Sequence, residues 1–199
     1  MSDFKHYIGQ HVNVELSGKK EIIGLLVDAG LDIIVLYNEK YFYIPTGHIQ
    51  RVKLNAKNTL DLDANFKPEQ PIDNDETISF RKILTNAKGM FVQINITGNK
   101  SVHGYLTSIM NDYFVFYSPV YKVMFITMNH LKWLIPYTKN TSPYSLNNAF
   151  LPVNPTSISL ARTFTEQCKK LENNIVILDG GDHPEKIGLL KKVENSTLT

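Results

Sequence analysis

A chain of 199 residues has room for one large domain or two to three small ones, and its 43% apolar content belongs to a folded protein rather than a disordered one. A net charge of +2 argues neither for nor against a polyanionic partner, but of 21 basic residues only Arg51, Arg81 and Arg162 are arginine, the side chain that grips phosphate and guanine bidentately. The lone Cys168 excludes an internal disulfide and any cysteine-cluster metal site, and no apolar run approaches the roughly 20 residues that span a bilayer. The first residues, MSDFKHYIGQ, show no basic stretch followed by an apolar one. The expectation is a soluble chain, cytoplasmic at synthesis, with no membrane partner.

In chain order, residues 2–8 are weakly helical. Val12, Val14 and Leu16 alternate with polar residues as in a half-buried strand, and a turn at Ser17-Gly18-Lys19 leads into EIIGLLVDA (21–29). Gly24 within that second strand suits a sharp bend in a small barrel. DIIVLYN (32–38), KYFYIP (40–45) and HIQRVKL (48–54) complete five strands. Residues 55–76 read as an acidic linker, and 77–88 as a helix from a Thr77 cap to Gly89. A second strand-rich stretch runs to 137, and a Pro/Asn-rich linker spans 138–156. Residues 157–172 then place Leu160, Phe164, Cys168 and Leu171 on one helical stripe behind a Ser157 cap. Phe66, Phe150 and Leu151 give the linkers side chains with which to dock.

The second stretch repeats the first. At an offset of 80, Val12, Gly18, Lys20, Gly24, Leu26, Asp32, Val35 and Tyr37 meet Val92, Gly98, Lys100, Gly104, Leu106, Asp112, Val115 and Tyr117. After a two-residue insertion the match resumes at 82, pairing Ile44 with Ile126 and His48 with His130. A partial third copy follows at 164, where IGLL (23–26) recurs identically at 187–190, with Gly188 in the place of Gly24. The expected organisation is mainly β: a five-stranded barrel over 1–54, a second over 77–137, each preceded by a short helix, and an incomplete third unit over 157–199.

These units resemble the Sm-like modules of spore coat protein B and its small relatives in spore-forming Bacillus-type bacteria. The carrying residues are the strand–turn–strand before Gly24, Gly104 and Gly188, the strand after Asp32 and Asp112, and the closing IPTGHIQRV and ITMNHLKWL. The resemblance implies a non-enzymatic structural or assembly protein that acts through protein–protein contacts or self-association, assembled into the spore coat. The alternative is an Sm-like RNA or nucleic-acid binder. Against it, neither Ala29-Gly30-Leu31-Asp32 and Met110-Asn111-Asp112 nor Thr46-Gly47-His48 and Met128-Asn129-His130 supplies the arginine of the RNA-binding pattern.

Candidate contacts follow from position. His48 and His130 stand at the turn into the fifth strand, either as partner contacts or as groups that brace the turn by local hydrogen bonds. Tyr41, Tyr43, Tyr117, Tyr121 and Trp133 are set either to stack on a ligand or to fill a core and cover an edge; core packing with a protein interface is favoured because basic residues are not interleaved among them. Asp179, Asp182, His183 and Glu185 crowd the GGDHPE turn, but ligands on one turn of one hairpin do not converge as a cation requires. No nucleophile–base motif, P-loop or dinucleotide fingerprint occurs, so no enzyme, metal or cofactor is expected. The third unit, two strands and a helix, is expected to complete itself against another chain, with docking on the upstream units as the alternative.

Overall fold

The structure is a computed structural model that describes residues 4–55, 70–72, 77–97, 100–137, 158–181, 183–194 and 197–199. A 3-10 turn at Phe4–Tyr7 precedes five strands, β1 (His11–Leu16), β2 (Lys20–Ala29), β3 (Ile33–Asn38), β4 (Lys40–Pro45) and β5 (Ile49–Leu54). Helix α1 (Phe80–Asn86) precedes five more: β6 (Phe91–Ile96), β7 (Lys100–Ile109), β8 (Tyr113–Ser118), β9 (Lys122–Thr127) and β10 (Leu131–Pro136). Helix α2 (Phe164–Lys169) opens the third unit, followed by β11 (Ile175–Ile177), β12 (Ile187–Leu189), β13 (Val193–Glu194) and β14 (Thr197–Leu198).

Strand alternation works as the periodicity predicts. Val12, Val14 and Leu16 are fully buried while their neighbours on β1 are half-buried. The repeat is carried into the pairing register: Val12 faces Gly24, Val92 faces Gly104 and Val176 faces Gly188. Both long second strands also bulge at the same place, between Leu26 and Asp28 and between Leu106 and Ser108, where an extra residue bends the strand.

The expected closed barrels do not form. Both units have the strand order fifth, first, second, third, fourth, yet they join in one ten-stranded sheet, β5-β1-β2-β3-β4-β10-β6-β7-β8-β9. The junction is the antiparallel pair β4–β10, with Leu134 opposite Tyr43. Its cause is visible in the cores. Trp133 and Ile135 of β10 bury themselves in the first unit's cluster with Val12, Leu26, Ile34 and Ile44. In return Ile33, Val35 and Tyr43 of the first unit join the second unit's cluster around Val92, Phe114 and Leu134. A sheet that shares side chains across its middle gains more burial by staying continuous than by closing each half on itself.

The helices are shorter than the stripe pattern suggests. Helix α1 is capped by Ser79 rather than Thr77, its hydroxyl accepting from Lys82 N at 3.3 Å. Helix α2 is capped by Thr163, while the expected Ser157 cap lies outside the described residues. Residues 158–161 form no regular element; Ala161 is buried and its N–H donates to Gln167 Oε1 at 2.8 Å. The third unit has a small core of its own, with Cys168, Leu190 and Val193 packed by Phe164, Leu171, Val176 and Leu198. Phe66, Phe150 and Leu151 lie outside the described residues.

Candidate protein-interaction surface

Two aspartates at equivalent positions receive the helix that opens the next unit. Asp32 Oδ1 accepts from Phe80 N at 2.8 Å, and Asp112 Oδ1 accepts from Phe164 N at 2.8 Å. A carboxylate suits unsatisfied N–H groups at a helix start. Around the second contact, Asn111 N donates to Arg162 O, and the Tyr113 hydroxyl bonds Ala161 O and Gln167 Oε1 at 2.8 and 3.1 Å. Burial pushes the Tyr113 hydroxyl above its ordinary pKa. One aspartate of the preceding unit thus takes the same part in docking each unit that follows. The sequence reading matched Asp32 with Asp112 but assigned them no role; their coincidence in the repeat was the available signal.

The paired histidines brace turns. Ser17 N donates to His48 O at 2.9 Å, and Thr97 N donates to His130 O at 2.9 Å, the same bond in both units. His48 Nδ1 also meets Ser17 Oγ at 3.1 Å. Burial, reinforced by Lys132 and His130, holds the His48 imidazole below its ordinary pKa despite a hydrogen bond with the Asn129 backbone. His130 is exposed, and among the described residues no cluster of three metal-ligating side chains includes either ring.

The aromatics divide. Tyr43 and Trp133 are core residues, Tyr43 1% exposed and raised in pKa by burial, its hydroxyl accepting from Ile72 N. Tyr41 packs half-buried against the second core and lies 5.0 Å from the ring of Tyr37. Tyr117 matters through its backbone: its carbonyl lies where a side chain on Gly104 would go, as the Tyr37 carbonyl does for Gly24, at 2.7 Å from an ideal Cβ. Gly188 differs from both, with open space around it, because among the described residues no third strand pairs with β12. Tyr121 is exposed beside a cavity of about 170 Å³ that Met124, Lys100 and Gly180 also line. In the GGDHPE turn, Asp179 accepts from Lys186 Nζ at 3.1 Å and its carbonyl accepts from Lys100, while Asp182 lies outside the described residues. Among the described residues no group of three metal-ligating side chains forms.

The sequence reading missed the outer face of the third unit. Ile175 stands opposite Leu189, and Ile177 opposite Ile187. All four are exposed, at 77%, 52%, 61% and 48%. Their counterparts in the second unit are Phe91, Tyr105, Gln93 and His103, all half-buried; Tyr137 meets the Phe91 ring edge-on and its hydroxyl bonds His103 Nδ1 at 2.6 Å. Among the described residues nothing plays the part of Tyr137 in the third unit. The signal in the sequence was an aliphatic residue at all four outward positions of IVI and IGL, where the second copy carries Phe91, Gln93, His103 and Tyr105 and the first carries His11 and Asn13 beside Ile23 and Leu25.

The chain is β-rich, with two repeated units joined edge to edge in one sheet and a third, docked unit that carries an exposed aliphatic face. Residues 163–199 match the family model described as YwrJ third domain. The full chain is 41% identical over 203 residues to the Uncharacterized protein YwrJ of Bacillus subtilis (strain 168), covering 100% of this chain and 90% of that one. The chain belongs to the YwrJ family.

Proposed function

We propose that this chain is a non-enzymatic structural or adaptor protein that acts through protein–protein contacts, within an assembly of the spore-coat kind its units resemble. The carrying observation is the four-residue aliphatic face of β11 and β12, exposed where the equivalent face of the second unit is half-buried. Contiguous apolar surface of this kind costs solubility unless a partner covers it. The unbroken sheet supports the reading, since it holds the first two units in a fixed order on which the third is docked. The finer assignment of each five-stranded unit to the Sm-like type belongs to the same proposal and is supported by the shared strand order.

The test separates proteins from nucleic acid. The full chain is passed over immobilised RNA and heparin at graded salt and, in parallel, used as bait in native lysate. Capture of a defined protein set that Ile177→Lys abolishes, with no RNA retention, is the expected result. Retention on RNA that weakens steeply with salt, as phosphate-driven binding must, overturns the proposal in favour of a nucleic-acid binder.

A further inference from the structure

We infer that the open edge of β9 is an acceptor for one added apolar β-strand from a protein partner; this rests on the protein-contact reading and gives that reading a second surface. The chain contains its own template. Strand β9 is the repeat counterpart of β4, with Tyr41, Tyr43 and Ile44 answering to Val123, Phe125 and Ile126 at the offset of 82. On β4 the added strand is β10, and Tyr43 and Ile44 are sealed beneath it. Strand β9 pairs with β8 alone among the described residues; Phe125, the counterpart of the buried Tyr43, remains half-buried, while Ile126 is buried as Ile44 is. The surrounding apparatus is nevertheless repeated. Asp112 holds α2 as Asp32 holds α1, and the turn at Asp179–Gly180 touches Lys100. The third unit is docked, but among its described residues no strand takes the place of β10.

The template also states the chemistry of the ligand. All six residues of β10 are buried, with Leu131 and Leu134 in one cluster and Trp133 and Ile135 in the other. A strand that fits β9 therefore needs large apolar side chains on both faces. A second copy of this chain does not supply one. Its free fifth strand is β5, which carries Arg51 and Lys53 where β10 carries Trp133 and Ile135, and Arg51 is paired with Glu15 at 2.7 Å. Laid on β9, those cations would enter the apolar cluster of Phe114 and Ile126, the counterparts of Ile34 and Ile44. Charged residues of this kind guard an edge against pairing, whereas the charge on β9 is limited to Lys122 at its start. The sheet is guarded at one end and receptive at the other. The cavity by Tyr121, Met124 and Gly180 leaves room for a side chain of the incoming strand.

The test uses a fluorescein-labelled peptide of residues 130–137, HLKWLIPY, titrated with the full chain and read by fluorescence anisotropy. Two peptides serve as comparisons: the same sequence with Trp133→Lys and Ile135→Lys, and residues 48–55 from β5. Saturable binding of the first is expected, with the comparisons at least about tenfold weaker. The chain variants Val123→Lys and Phe125→Lys, checked by circular dichroism for an unchanged fold, should lose binding to a similar degree. The peptide comparisons require no change in the protein, so they stand even where a variant fails to fold. Absence of saturable binding, equal binding of the β5 peptide, or undiminished binding to both folded variants overturns the inference. So does light scattering that shows the full chain pairing with itself through a contact that Phe125→Lys dissolves. None of these results touches the contact reading carried by Ile175, Ile177, Ile187 and Leu189, which fails or stands on the lysate experiment.

Discussion

Replacing Gly24, Gly104 and Gly188 by alanine, one at a time, asks whether three positions equivalent in sequence are equivalent in structure. A Cβ at Gly24 would lie 2.7 Å from the Tyr37 carbonyl oxygen and 3.2 Å from its carbon, and backbone of a paired strand cannot swing aside. At Gly104 the same atom of Tyr117 is closer still, and Phe116 crowds it at 2.8 Å. Forcing one carbon into such space costs about 1–3 kcal/mol. For a chain of this size that is a fall of ~2–4 °C in Tm per kcal/mol. Gly188 has no neighbour within 4 Å, so its alanine should be neutral or stabilising by ~0.4–1 kcal/mol through reduced freedom of the unfolded chain. Urea unfolding followed by the single tryptophan, Trp133, reads the first two, because that indole sits in the core shared by both units. Segment-resolved hydrogen exchange reads the third. If Gly188→Ala is as damaging as Gly24→Ala and Gly104→Ala, the argument from strand crossing is wrong.

Further perturbations probe the junction and the docking. Trp133→Ala removes the side chain with which β10 fills the first unit's core and should cost about 3–5 kcal/mol, read by circular dichroism in urea; a loss under about 1 kcal/mol would deny the shared core. Tyr113→Phe deletes the hydroxyl that joins Ala161 and Gln167, and should raise exchange and protease cleavage across 158–194 while leaving 11–54 unchanged. Burial, with Lys132 and His130 nearby, depresses the pKa of His48; burial, with Lys40 nearby, depresses that of His103. A depressed histidine means the unfolded chain takes up protons first. Stability is therefore full above about pH 6.5 and lost as pH falls toward the folded values. The double variant His48→Gln/His103→Gln should flatten the decline in Tm between pH 7 and pH 5, and an unchanged slope would remove these rings from the account.

Much of the fold was legible because side-chain alternation and glycine placement are local and survive repetition. Val12, Val14 and Leu16 announced their strand, and Gly24 with Gly104 announced a place where two backbones approach. What the sequence did not show was the partner of the fourth strand. A pattern of period two says which face of β4 is buried, but not whether β5 or β10 lies beside it. That choice depends on Trp133 and Ile135 against Arg51 and Lys53, a difference that becomes meaningful only once the two fifth strands are compared as rivals for one edge. The helices were overextended for a related reason. The apolar stripe through Leu160 and Phe164 continues past the true start of α2, while the boundary is fixed by tertiary bonds from Asp112 and Gln167. The candidate surface was obscured by its own regularity, since an apolar residue at every position of IVI reads as a buried strand. Only the exposure of Ile175, Ile177, Ile187 and Leu189 in the folded chain shows that this one is bare.

The central claim, that the third unit presents a surface for protein, is tested most directly by a photo-crosslinking amino acid placed in the native organism at Ile177, 61% exposed, and for comparison at Leu31, 69% exposed on the first unit. The account predicts discrete protein adducts from position 177 and none from position 31, despite its greater exposure. Adducts to RNA, or protein adducts equally abundant from both positions, would contradict it.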